Sequence, residues 1–264
     1  MQSRRSFMIG AVAYSVSALP LMSQGGGDFM AQWPDLTTRI ERAYLSDNMD
    51  ELRSIRAVCL RALLGPLPQD KIPLVRYAVA YVDWRMVFNP SVLDKEKDDM
   101  LEEAQSQLEQ AIKVDERFTE AHSLIAGVYG VKISRSALRG ITLGPRAGSA
   151  LSRAGKLEPD NPRVPLQDGI GAFNTPSMFG GGVHKAEKLL RRAIMLLEKE
   201  SVEKPWPNWG RFDAHAWLGQ ILVKRRDFAA ARTEYEKALA IAPKSGWITY
   251  VLMPELEKAM KIKP

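Results

Sequence analysis

Apolar residues recur at intervals of three and four from Leu36 almost to the C-terminus, the spacing of helices that turn one stripe toward a core. Leu36, Ile40, Ala43 and Tyr44 mark a first helix, broken at Asp47 or Asn48. Leu52, Ile55, Cys59 and Leu63 mark a second, ending near Gly65-Pro66. Tyr77, Ala80, Tyr81 and Trp84 then face Ala104, Leu108 and Ala111 across an insertion from Phe88 to Asp99, with Asn89-Pro90 as its turn signal. A third pair sets His122, Ile125, Ala126 and Tyr129 against Ala147, Leu151 and Ala154, with a long basic connection from Ile133 to Arg146. The fourth sets Leu166, Gly169, Ile170 and Phe173 against Ala186, Leu190 and Ala193, joined through Asn174 to Gly182. A last amphipathic helix, about Ile248 to Ile262, is expected to cover the end of the stack. No stretch alternates convincingly with the period of a strand, so the pattern is all-α.

The fifth pair is the most regular. FDAHAWLGQILVKRRDFAAARTEYEKALAIAP, Phe212 to Pro243, holds Leu218 and Leu222 on one stripe and Tyr235 and Ala238 on the returning one. Gly219 and Ala231 are small enough for the two helices to approach closely, and Pro243 stops the second. Its His-x-x-Leu-Gly-x-x-Leu, Ala-x-x-x-Tyr-x-x-Ala and Pro resemble the tetratricopeptide (TPR) consensus. The expected fold is a right-handed TPR-like α-solenoid of about five helix pairs plus a C-terminal capping helix. KLEPDNPRVPLQDGIGAFNTPSMFGGGVHKAEKLLRRA further resembles exported bacterial TPR proteins with an N-T-P-x-x-F-G-G-G connector and a following K-A. A looser similarity links it to the periplasmic TPR components that accompany TRAP-type solute transporters. These resemblances imply fold and compartment more than activity.

Composition changes little: 264 residues, 45% hydrophobic and 26% charged, suit a solenoid of this size. The formal charge of +6 is spread along the chain, and runs such as Lys224-Arg225-Arg226 meet Asp227 at once, so no nucleic-acid footprint is expected. The N-terminus carries more. Ser3-Arg4-Arg5-Ser6-Phe7-Met8 is similar to a twin-arginine export signal, followed by a short apolar run and by Val16-Ser17-Ala18, small residues suited to cleavage. An ordinary secretory signal remains the alternative. Residues 1–18 are expected to be an export signal, 19–34 a flexible leader with Gly25-Gly26-Gly27, and 35–264 the solenoid, delivered to a bacterial periplasm without stable membrane insertion. Cys59 is the single cysteine, so no internal disulfide can form, and its place on an apolar stripe marks a buried thiol.

Catalytic chemistry finds no pattern. There is no metal-ligand spacing, no nucleophile elbow and no phosphate loop, so no enzyme activity, cofactor or metal is expected. His122 and His215 fall at the consensus packing position, and His184 opens a helix at the surface. Gly180-Gly181-Gly182 is expected to form a positive-φ bend that tucks Phe173, Pro176 and Phe179 under neighbouring helices, with an anion held by backbone N–H groups at the following helix start as the alternative. Trp206 and Trp209, in a short proline-bearing loop, are expected to plug a gap between repeats, with an interaction patch as the alternative.

Recognition is expected on the concave wall, one helical step off the packing stripe. Its candidate residues are Arg85, Ser123, Gly127, Gln167, Gly171, Asn174, Gln220 and Lys224. Glycine inside a helix costs about 1 kcal/mol relative to alanine. Gly127 and Gly171 therefore call either for close approach of a ligand or for tight packing between repeats. The lining suits a protein or peptide partner. An accessory, solute-binding role beside a transporter subunit is the alternative.

Overall fold

The computed structural model describes residues 33–202 and 205–261; the expected signal, with Arg4 and Arg5, and nearly all of the leader lie outside them. Among the described residues are eleven α-helices and no strand. They form five hairpins: α1 (Leu36–Leu45) with α2 (Met49–Leu63), α3 (Ile72–Met86) with α4 (Asp94–Val114), α5 (Thr119–Arg135) with α6 (Gly140–Leu157), α7 (Arg163–Asn174) with α8 (Val183–Lys199), and α9 (Arg211–Lys224) with α10 (Phe228–Ile241). A π-helical turn, Ile248–Leu252, leads into the terminal α11, Met253–Lys261.

The hairpins stack as an α-solenoid. First helices α1, α3, α5, α7 and α9 pack side by side as the inner layer, and the even-numbered helices form the outer one. Because helices alternate in direction, the turns within the hairpins line one edge and the linkers between hairpins line the other. The first and fifth hairpins turn alike: Asp47 and Arg226 take positive φ, and the next residue, Asn48 or Asp227, caps the second helix by accepting the N–H of Glu51 (3.0 Å) or Ala230 (3.2 Å).

Small residues set the spacing between layers. Ala104, Ala111, Ala186, Ala193, Ala231 and Ala238 are fully buried. A Cβ on Gly219 would lie 2.2 Å from the Tyr235 ring, and one on Gly169 would lie 2.9 Å from Leu190. The close approach expected of Gly219 is therefore real. Ile248, Leu252 and Leu256 are buried at the end of the stack, where the capping helix was expected.

The connectors are shorter than their glycine and proline content suggests. α4 begins at Asp94, inside the expected insertion, and α6 begins at Gly140 and runs through Gly144 and Pro145. A proline this near the start of a helix deprives a single carbonyl, that of Ile141, of its helical partner. Ile141 is exposed, so water can serve that carbonyl instead, while Leu143 is buried and anchors the turn.

Two glycines should respond oppositely to alanine. Gly219→Ala should lower the unfolding free energy by about 1–3 kcal/mol through overpacking against Tyr235. Gly171, with open space around its missing Cβ, should gain about 0.5–1 kcal/mol as alanine. Urea denaturation of the two variants measures both.

Candidate functional site

Arg85 lies near the end of α3, and its side chain is entirely buried. Its Nη1 and Nη2 donate to the two carboxylate oxygens of Asp213, each at 2.8 Å, from the first turn of α9. Nη2 also donates to Glu41 of α1 at 3.0 Å, and Nε donates to the Tyr81 hydroxyl at 3.1 Å. Tyr81 in turn donates to Glu41. The guanidinium stands 4.1 Å from the Tyr44 ring centre and 4.8 Å from that of Trp84. Burial alone would lower the Arg85 pKa, but the facing carboxylates of Asp213 and Glu41 more than offset it and hold it well above its ordinary value. Burial raises the Glu41 carboxyl, with Arg85 opposing. One cluster thus joins the first, second and fifth hairpins.

The loop before α9 fills the space beside this cluster. Trp209 is buried, stacked 5.3 Å from Tyr81, and its indole N–H donates to the Tyr77 hydroxyl at 2.7 Å. Gly210, at φ +112°, makes the bend, with no room for a Cβ beside Leu166. Thr37 of α1 donates to the carbonyls of Pro205 and Trp206, at 2.9 and 3.0 Å. A second buried arginine, Arg163 of α7, holds the Pro207 carbonyl at 3.0 Å while pairing with Glu120 (2.9 Å) and Glu200 (2.5 Å). Trp206 reaches Phe118 edge-on and stays half-exposed. The two tryptophans plug the inside of the solenoid, as expected, but across its hollow and not merely between neighbours.

The plug divides the expected groove. On α3 all of the inner stripe, Ala78, Val82 and Arg85, is buried, so Arg85 belongs to the internal cluster and presents nothing to a partner. On α5 the stripe passes from buried Ser123 through half-buried Gly127 to exposed Gly130. On α7 it runs from buried Gln167 to exposed Gly171 and Asn174, and on α9 from buried Ala216 through half-buried Gln220 to exposed Lys224. The open wall is therefore the C-terminal half of three helices. Gly127 is explained by packing: the Gln167 amide of the next hairpin occupies the place of its Cβ, 2.6 Å away. Gly171 meets nothing within 4 Å. Ser123 Oγ, Gln167 Nε2 and Gln220 Nε2 are inaccessible to solvent yet have no hydrogen-bond partner within the described chain.

Other expectations resolve individually. His122 Nε2 lies 2.9 Å from the Glu116 carbonyl, and His215 Nδ1 lies 2.6 Å from Glu234, so both serve packing. Cys59 is buried and its thiol is pushed up to about 12 by desolvation. Among the described residues no three of His, Cys, Asp and Glu converge as metal ligands, and no helix is long and apolar enough to cross a membrane. A cleft of about 480 Å³ between α4 and α6 is lined by Glu109, Lys113, Glu116, His122 and Arg153, charges of both signs. Gly180 and Gly182 do take positive φ, +83° and +111°. Phe179, expected to tuck inward, is 72% exposed, because the bend turns it and Met178 away from the helices.

The model for the tetratricopeptide repeat matches residues 212–245, the fifth hairpin and the turn after it. No curated protein matches the chain. Among solved structures it is similar to a thermophilic TPR protein of Thermus thermophilus, at 17% identity and a TM-score of 0.57, over 86% of this chain and 100% of that one. It is also similar to the HusA haemophore of Porphyromonas gingivalis, at 23% identity and a TM-score of 0.60, over 76% and 96%. The fold is a TPR-like solenoid. At these identities the likeness shows the fold alone.

Sequence reasoning missed Glu41 and Asp213 as the partners of Arg85. One signal was available: an arginine one residue after the Tyr77–Tyr81–Trp84 stripe wants a buried counter-charge. Nothing in the sequence selects a carboxylate 128 positions away. Removing it should be costly. Asp213→Ala should lower the unfolding free energy by about 3–5 kcal/mol, since it leaves Arg85 buried with half its compensation. Arg85→Met combined with Asp213→Leu should recover much of that loss in the same urea titration.

Proposed function

We propose that this chain is a non-enzymatic scaffold that holds a segment of a protein partner against the open half of its inner wall, on the C-terminal halves of α5, α7 and α9. One observation carries the reading. The C-terminal halves of these three helices expose Gly130, Gly171, Asn174 and Lys224 side by side. The place of a Cβ is open at Gly130 and Gly171, so an extended peptide main chain can approach the bare helix backbone there, and Asn174 adds an exposed amide that can both donate and accept. Stacked helix pairs commonly use such inner walls for binding. The partner's compartment follows the N-terminal reading: Arg4 and Arg5 direct export, residues 1–18 are removed, and the scaffold works in a periplasm.

Position-specific crosslinking tests the surface. A photo-reactive amino acid at Asn174 should yield a discrete crosslinked protein in living cells, and the same residue at Ser152, on the outer face of α6, should not. Crosslinking equal at both positions, or absent at Asn174, would reject the inner wall as the site. Export is tested separately by fractionating cells and sequencing the mature N-terminus. A periplasmic product starting near Leu19, lost in Arg4→Lys/Arg5→Lys, is expected; a full-length cytoplasmic product would refute the export reading.

A further inference from the structure

The turn edge of the third and fourth hairpins carries a group of protruding apolar side chains, continued at the turn of the second hairpin by Leu93 and Phe88. Leu138 lies in the turn between α5 and α6, Ile141 in the first turn of α6, and Met178 and Phe179 in the turn between α7 and α8. All four are large, apolar and 72–83% exposed. They sit at neighbouring turns because α5 and α7 pack side by side in the same direction.

These side chains are held outward by ordered backbone. The Phe179 N–H donates to the Pro176 carbonyl at 2.9 Å, Gly180 N–H to Ser177 at 3.0 Å, and Gly182 N–H to Ala172 at 2.8 Å. Gly181 passes so near Thr175 that a Cβ would meet its carbonyl oxygen at 2.0 Å. The bend is a tight closure whose tip is Met178-Phe179, and three consecutive glycines are what permit it.

The charge around these tips is basic in excess, and part of it is paired: Arg139 lies 3.8 Å from Glu102 and Lys185 3.7 Å from Asp168, exposed pairs that contribute little, and Arg225 pairs with Glu187. Residues 136–146, 175–185 and 225–227, the three successive turns, hold five Lys and Arg (Arg139, Arg146, Lys185, Arg225, Arg226) against one acid, Asp227. Asp227 is occupied as the cap of α10. No Asp or Glu occurs anywhere between Ala121 and Leu157. Apolar tips flanked by cations are the complement of an anionic bilayer surface, where the tips enter the acyl boundary and the cations meet headgroups.

We propose that this edge docks the scaffold on the surface of an anionic lipid bilayer, with Leu138, Ile141, Met178 and Phe179 at acyl depth and Arg139 and Lys185 at the headgroups. The inner wall, which opens toward the same edge, would then face a partner held at the membrane.

Site-directed fluorescence on the full chain tests this. Nitrobenzoxadiazole is attached at Phe179→Cys or, as control, at Asp160→Cys in the linker on the opposite edge; buried Cys59, with its raised thiol pKa, does not compete for the label. With vesicles of equal parts phosphatidylcholine and phosphatidylglycerol, emission at position 179 should rise about two-fold or more and shift to the blue, with no change at 160. Phosphatidylcholine alone should give little response. Arg139→Glu with Lys185→Glu should weaken the 179 response by about tenfold or more in apparent affinity. Because the label reads its own position, membrane binding by the N-terminal segment cannot mimic the result. No change at 179, an equal change at 160, an equal response to phosphatidylcholine alone, or the same response to polyglutamate without lipid would each overturn the proposal.

Discussion

The guanidinium of Arg85 sits where water cannot reach it, between carboxylates from the first and fifth hairpins. A charge so placed has to be paired, because leaving it uncompensated in a low-dielectric interior costs several kcal/mol. Its two hydrogen bonds to Asp213 are parallel and of equal length, the geometry that a planar guanidinium and a carboxylate share. This pairing fixes the position of α9 relative to α3. The last full hairpin is therefore held against the first two, and the solenoid curls around its own loop. A stack of hairpins linked only to their neighbours could open or flex; one tied across its hollow is locked in curvature.

That lock decides which surfaces are left for other molecules. Trp209 takes the aromatic wall of α3, Pro207 takes the N-terminus of α7 through Arg163, and Trp206 takes Phe118 at the start of α5. What stays open is the lower half of the inner wall and the edge of turns beside it. The two differ in chemistry. The wall is floored by glycine and amide side chains, while the edge carries protruding apolar tips among cations. A half-covered groove is narrower than the full concave face of a solenoid and suits a single extended segment better than a folded domain.

Most of the architecture was legible in the chain itself. Helical spacing of small and apolar residues placed all five hairpins and the cap, since a stripe that must be buried leaves its period in the sequence whatever lies opposite. Gly219 could be assigned a packing role because its partner, Tyr235, is one hairpin turn away. Breaker residues misled where the tertiary environment could carry them, as at Pro145, which costs one hydrogen bond on an exposed helix start.

The candidate site was legible only in part. Ser123, Gln167 and Gly171 were assigned to the inner stripe by periodicity alone, and periodicity cannot say what covers a stripe: the first two are buried and the third is exposed. Arg85 has the same spacing as the others and ended inside, because a carboxylate from α9 and the rings of Tyr44 and Trp84 close over it. Phe179 has the composition of a core residue and ended outside, because the glycine bend turns its tip away. The sequence by itself determined the helices, their pairing and their order, since those depend on contacts between near neighbours. The curl of the stack, its plug and the division of its surface were decided only in three dimensions, by ion pairs and ring contacts between residues more than a hundred positions apart, for which no local pattern exists.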